Sequence, residues 1–170
     1  MNKYVKIAAV ATIGLVLTGC NSGKKFTCSV TNTSSFSGDS TEKIIYEFSK
    51  DGKDVVKYTE EKSYKYTDKA LEYYDEDIDD IAEEAEEDCE DFEDSDIVTC
   101  EVKTSGKKVT QIVTLDLKDL DEDDLEDLYD DKDISYSVYS KAKKVIEAKY
   151  DDLKKDSQDK NNSLFKYSCK

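Results

Sequence analysis

The sequence predicts an α+β domain: an antiparallel β-sheet with helices packed on one face, in the order βββαββααβ, braced by disulfides. Three observations carry this. Residues 24–34, 42–49 and 53–66 carry apolar side chains at alternate positions, and from Thr67 the apolar spacing changes to steps of three or four. Asp51-Gly52 and Gly106 fall between alternating runs, where hairpin turns belong. Four cysteines, Cys28, Cys89, Cys100 and Cys169, follow a leader-like N-terminus, and an even count in an exported chain signals disulfides. Strand runs with helices between them give an antiparallel sheet that carries its helices on one side.

The elements follow in order. Residues 24–34 place Phe26, Cys28 and Val30 on one face and Thr27, Ser29 and Thr31 on the other, the pattern of a half-buried strand. Residues 42–49 carry Ile44, Tyr46 and Phe48 at period two. Residues 53–66 form a third strand with Val56, Tyr58, Tyr64 and Tyr66 on one parity. Its middle is polar, so part of this strand is expected to run past the sheet. Thr67 is a credible N-cap for one amphipathic helix of about seven turns, its apolar positions being Leu71, Tyr74, Ile78, Ile81, Ala82, Ala85, Cys89 and Phe92. Residues 72–96 hold 16 Asp or Glu and no Lys. Carboxylates oppose the helix dipole at a C-terminus, so this helix should fray at its end unless Cys89 is tied down. Val98, Cys100 and Val102 mark a fourth strand, and Val109, Gln111, Val113 and Leu115 a fifth. Residues 116–133 space Leu117, Leu120, Leu125 and Leu128 as a short helix, and residues 137–157 read as another. The tail 161–170 is a last short strand ending at Cys169.

Four cysteines allow three pairings. Cys28–Cys169 and Cys89–Cys100 are favoured: the first ties the opening strand to the closing one, and the second clips a helix end to the next strand. A metal site is disfavoured, because the chain has no C-x-x-C and no histidine.

The N-terminus gives an address. Lys3 and Lys6 precede an apolar run of 11 residues, Ile7 to Leu17. A membrane-spanning helix needs about 20, so the run reads as the core of a secretory signal. Leu17-Thr18-Gly19-Cys20 resembles the bacterial lipobox. That resemblance implies cleavage between Gly19 and Cys20 and attachment of palmitate-class acyl chains at Cys20. Each buried CH₂ contributes about 0.8 kcal/mol, so two or three chains anchor stably. The expected organisation is a signal peptide over 1–19, a lipidated N-terminus and short tether over 20–25, and one domain over 26–170.

Composition narrows the rest. The formal charge is −16, and all 25 basic residues are Lys. Without Lys3 and Lys6 the mature part carries −18, which repels nucleic acid and anionic headgroups and makes neither a partner of the domain. The composition resembles that of low-GC Gram-positive bacteria, which would place the anchor on the extracytoplasmic face of the cell membrane.

Taken together, the lipobox, the stretch TEEKSYKYTDKALE leading into the long helix, the strand pair from Asp96 to Leu117, and VTLDLKDLDEDDLEDL (113–128) resemble the YehR-like bacterial lipoproteins. The likeness is one of element order and short patterns over most of the mature chain. It implies the fold and the address, and brings no established activity. The four domain cysteines depart from the family pattern and mark a disulfide-braced branch.

Candidate chemistry is sparse. A Ser/His/Asp or Cys/His site requires histidine, which is absent. Asp119, Asp121 and Asp123 alternate as an EF-hand loop begins, which makes them candidate Ca²⁺ ligands. The segment 119–130 nevertheless lacks the central Gly and ends in Asp130. A wall-glycan hydrolase would need two carboxyls about 5 to 10 Å apart across a sugar-lined cleft, and there is no Trp to stack on a sugar. The 12 tyrosines outnumber the 5 phenylalanines. Tyr58, Tyr64, Tyr66, Tyr73 and Tyr74 crowd the region from the third strand to the first helix. Tyrosine is amphipathic and enriched at binding surfaces, so Tyr58, Tyr64 and Tyr66 are candidate docking residues, against the plainer reading of strand-favouring side chains half covered by neighbours. The expectation is a membrane-anchored, non-enzymatic binding module without a cofactor, meeting a protein partner in the envelope; a Ca²⁺-binding surface protein and a glycan hydrolase are the alternatives.

Overall fold

The computed structural model describes residues 23–90, 95–131, 133–159 and 167–170. The expectations for the signal and lipobox, for Phe92 and for 161–166 concern residues outside this set. Six strands, β1 (Lys25–Ser34), β2 (Gly38–Phe48), β3 (Val55–Tyr66), β4 (Val98–Ser105), β5 (Lys108–Asp116) and β6 (Ser168–Cys169), form one antiparallel sheet in the order β4-β5-β3-β2-β1-β6. Among the described residues, five helices accompany it: α1 (Asp68–Tyr74), α2 (Ile78–Glu90), α3 (Glu122–Asp130), α4 (Tyr136–Ile146) and α5 (Tyr150–Asp156).

The α+β class, the antiparallel sheet and both cysteine pairings are as predicted. Cys28 pairs with Cys169 across the β1–β6 ladder, and Cys89 of α2 is bonded to Cys100 of β4. The element order is corrected to βββααββαααβ. The seven-turn helix is two helices. Asp75 adopts a left-handed conformation, φ 57°, and the Glu76 N–H bonds back to the Leu71 carbonyl at 3.2 Å, a Schellman-type stop. Asp77 then starts α2: its carboxylate accepts from the Asp79 and Asp80 N–H groups at 2.8 and 3.0 Å, and Asp80 accepts from the Asp77 N–H. Aspartate favours caps and tolerates the left-handed region, so a run of acids inside an apolar period can end one helix and open another. The helix expected over 137–157 also divides. Lys149 is extended, ψ 141°, which re-aims Tyr150 edge-on against Phe26 and Phe48, with centroids 6.1 and 5.7 Å away.

The polar middle of β3 does not run past the sheet: β3 is paired along its length with β2 on one side and β5 on the other. A register shift at Glu47/Phe48 puts Val55, rather than Val56, into the core. Phe26, Phe48, Tyr58, Leu115, Leu117, Leu125, Val138, Ala142 and Val145 form that core between the sheet and the helices. The opposite sheet face carries hydroxyl pairs, Thr31–Thr41, Thr59–Thr114 and Ser63–Thr110, at 3.1 to 3.3 Å. Of these, Ser63 and Thr110 are themselves buried, and the bond between them satisfies both hydroxyls.

Two glycines matter here. Gly38, φ 104°, closes the β1–β2 hairpin, and a Cβ there would lie 1.9 Å from the Lys65 carbonyl oxygen. At Gly23 a Cβ would lie 1.6 Å from the Phe48 carbonyl oxygen, so the chain enters β1 pressed against the end of β2.

Candidate functional site

Strand β3 points Tyr58, Glu60, Lys62, Tyr64 and Tyr66 toward the helix side, and these residues separate into two environments. Near the chain entry, Tyr58 is 6% exposed and sits in the core. Its place in a docking surface is therefore corrected: β3 is central, with α4 above this half of it. Burial first, and the charge of Glu60 second, push the Tyr58 phenol up, so it stays a donor to Glu60 Oε2 at 3.4 Å.

Glu60 is the feature that sequence reasoning missed. It is 9% exposed on an inward-facing strand position. A buried carboxylate requires partners, and it has them: Lys141 of α4 on Oε2 at 2.5 Å and Lys62 on Oε1 at 2.9 Å. Burial alone would raise its pKa, but the hydrogen bonds and charges of Lys141 and Lys62 outweigh it and hold the carboxyl below its ordinary value. The available signal was parity, since Glu60 shares a face with Tyr58 and Tyr64. Lys141 lies 81 residues away, beyond the reach of any local pattern. With both oxygens engaged by cations, Glu60 is set up to position α4 over β3, not to accept a proton at neutral pH.

At the far end of the sheet the aromatics emerge. Tyr64 is 48% exposed and Tyr66 half-buried, with ring centroids 6.4 Å apart. Phe36, at the β1–β2 hairpin tip, packs edge-on against Tyr73 at 5.4 Å, and Tyr73 meets Tyr74 at 5.1 Å. Tyr73 and Tyr74 are 72% and 56% exposed. The Thr67 hydroxyl donates to the Phe36 carbonyl and accepts the Ala70 N–H, so one residue caps α1 and binds the hairpin tip to it. Asp68, which pairs with Lys107, along with Glu72, Asp75 and Glu76, surrounds these rings in sequence. Of the tyrosines grouped by the sequence, Tyr64 is in ring contact with Tyr66, and Tyr73 with Tyr74.

The acidic segment 119–130 has a structural task. Asp121 accepts the Asp123 and Asp124 N–H groups at 3.0 Å, and Asp124 accepts the Asp121 N–H at 2.8 Å, a capping box for α3. Asp119 sits just before it at φ 62°. Among the described residues, no group of three or more carboxylates or thiols is arranged to hold a metal ion. No described helix is long and apolar enough to cross a membrane.

No protein-family model matches the chain, and no curated protein matches its sequence. A protein from Streptococcus pneumoniae TIGR4, solved by NMR, is similar at 12% identity with a TM-score of 0.45, over 100% of this chain and 99% of that one. A likeness at that level carries no argument about function.

Proposed function

We propose that this chain is a lipid-anchored, non-enzymatic binding module on the extracytoplasmic face of the cell membrane, of the YehR-like type. The lipobox at Leu17–Cys20 supports the address. The observation that carries the binding reading is the set of exposed aromatics at one end of the sheet, Phe36 packed on Tyr73 and Tyr73 on Tyr74, with Tyr64 exposed beside Tyr66. Cys20 lies five residues before Lys25, where β1 begins, and the cluster sits at the other end of strands about 40 Å long. A short tether at one end and exposed tyrosines at the other suit a domain that presents its distal end to a partner. Residues 68–90 carry 13 Asp or Glu against one Lys. The complementary partner is therefore a protein segment rich in Lys or Arg, held by the tyrosine faces and the surrounding carboxylates.

Two measurements test this. Labelling cells with an alkyne fatty acid should tag the wild type and not Cys20→Ser; equal labelling of both removes the address. Titration with a lysine-rich peptide should shift Tyr64, Tyr73 and Tyr74 resonances, and the double variant Tyr73→Ser/Tyr74→Ser should bind about tenfold more weakly, roughly 1.4 kcal/mol. Unchanged affinity in the double variant would leave only diffuse attraction to the acidic helices and end the binding reading.

A further inference from the structure

Helix α4 carries two stripes. Val138, Ala142 and Val145 face the core. Ser137, Ser140, Lys141 and Lys144 recur at helical spacing on the adjoining stripe. With Tyr136 they line a cleft of about 520 Å³ whose sheet side is Tyr46 and Tyr58. That volume falls within the range of small-molecule pockets, about 300 to 1,000 Å³.

The charge here runs against the rest of the molecule. The chain as a whole is −16, yet the charged side chains among the residues lining this cleft are Lys141 and Lys144, and Glu60 reaches it only through its ion pair with Lys141. Glu60 is already neutralised by Lys62 and Lys141. Lys144 has no carboxylate within ion-pair distance among the described residues. We infer that this cleft is a binding site for a small organic anion carried on a ring, with its carboxylate on Lys144 and the Ser140 hydroxyl and its ring against Tyr46 and Tyr136. Burial first, and Glu60 second, raise the Tyr46 phenol, which keeps it a hydrogen-bond donor toward the ligand. The inference does not depend on lipidation or on the distal aromatic cluster, which lies at the other end of β3.

The test is an NMR titration of the full chain in detergent with benzoate, alongside acetate (the charge without the ring) and benzyl alcohol (the ring without the charge). Benzoate should give saturable shifts at residues 136–144 and at Tyr46, while neither control does so at the same concentrations. Lys144→Gln, at an exposed position that should not disturb folding, is expected to weaken benzoate about tenfold. Lys149→Gln, outside the cleft, should leave its affinity unchanged. Absence of saturable shifts, equal binding of benzyl alcohol, or equal loss in both lysine variants would each overturn the inference.

Discussion

Helices α4 and α5 bury Val138, Ala142, Val145 and Leu153 against the sheet, whereas α1 and α2 bury Ala70, Ala82 and Cys89. A buried Val or Leu side chain contributes about 1.5–3 kcal/mol, and an alanine methyl far less. The charge divides the same way. Residues 134–159 carry six Lys and five Asp or Glu, while residues 68–90 carry one Lys and 13 acids. The first region is held by packing and by the Lys141–Glu60 contact. The second is held by caps at Thr67 and Asp77, by the Cys89–Cys100 bond, and by a Gln111 side chain that donates to the Ala85 carbonyl at 3.5 Å. The acidic α1–α2 unit buries less apolar surface than α4–α5, and a covalent clip holds it where apolar contact is thin.

Emptying the packed side should have the largest effect. Phe48→Ala should cost about 4 kcal/mol by loss of transfer energy and creation of a cavity, read as a shift in the denaturant midpoint of the whole domain. A loss below about 1 kcal/mol would mean that the core is not where the domain's stability resides. The clipped side should respond differently. Cys89→Ala with Cys100→Ala opens a link of sequence separation 11, about 3 kcal/mol in the chain-entropy picture. Hydrogen exchange should show α2 amides losing protection while β1–β3 keep theirs. Uniform loss across the sheet would show instead that α2 is part of one cooperative unit with the core.

The smallest expected effect concerns the contact that joins α4 to the sheet. Glu60 titrates below its unfolded value of about 4.3. Its ionised form therefore adds stability that is fully present above that unfolded value and is lost as pH falls through the folded value. Glu60→Gln should cost about 1–2 kcal/mol near neutral pH, since its lysine partners are partly solvated. The difference from wild type should shrink on acidification. A difference that persists unchanged down to pH values well below the folded pKa would assign the loss to packing and not to charge.

Much of this was legible beforehand. Period two over 24–34, 42–49 and 53–66 led to the sheet, and the elements that carry the four cysteines led to both pairings, because strand alternation acts over a few residues and a bridge over whole elements. Asp75 and Asp77 were harder to read: apolar spacing alone continues through them, and only the left-handed turn and the capping pair show that the helix stops. Tyr58 and Tyr64 share a parity and look alike in sequence. Which of them is buried depends on where α4 lies, and α4 is separated from them by two strands and three helices.

Local sequence alone carries the α+β class, the bridging cysteines, the excess of negative charge and the lipobox-like start. These depend on local periodicity, composition and short motifs. The tertiary structure alone decided that Glu60 is buried between Lys62 and Lys141, that Tyr58 is core while Tyr73 and Tyr74 are exposed, and that α4 opens a cationic cleft in an acidic molecule. The physical reason is distance along the chain. A buried charge or a cleft is made by side chains tens of residues apart, and their meeting is fixed by how helices settle on a sheet rather than by any neighbour in sequence.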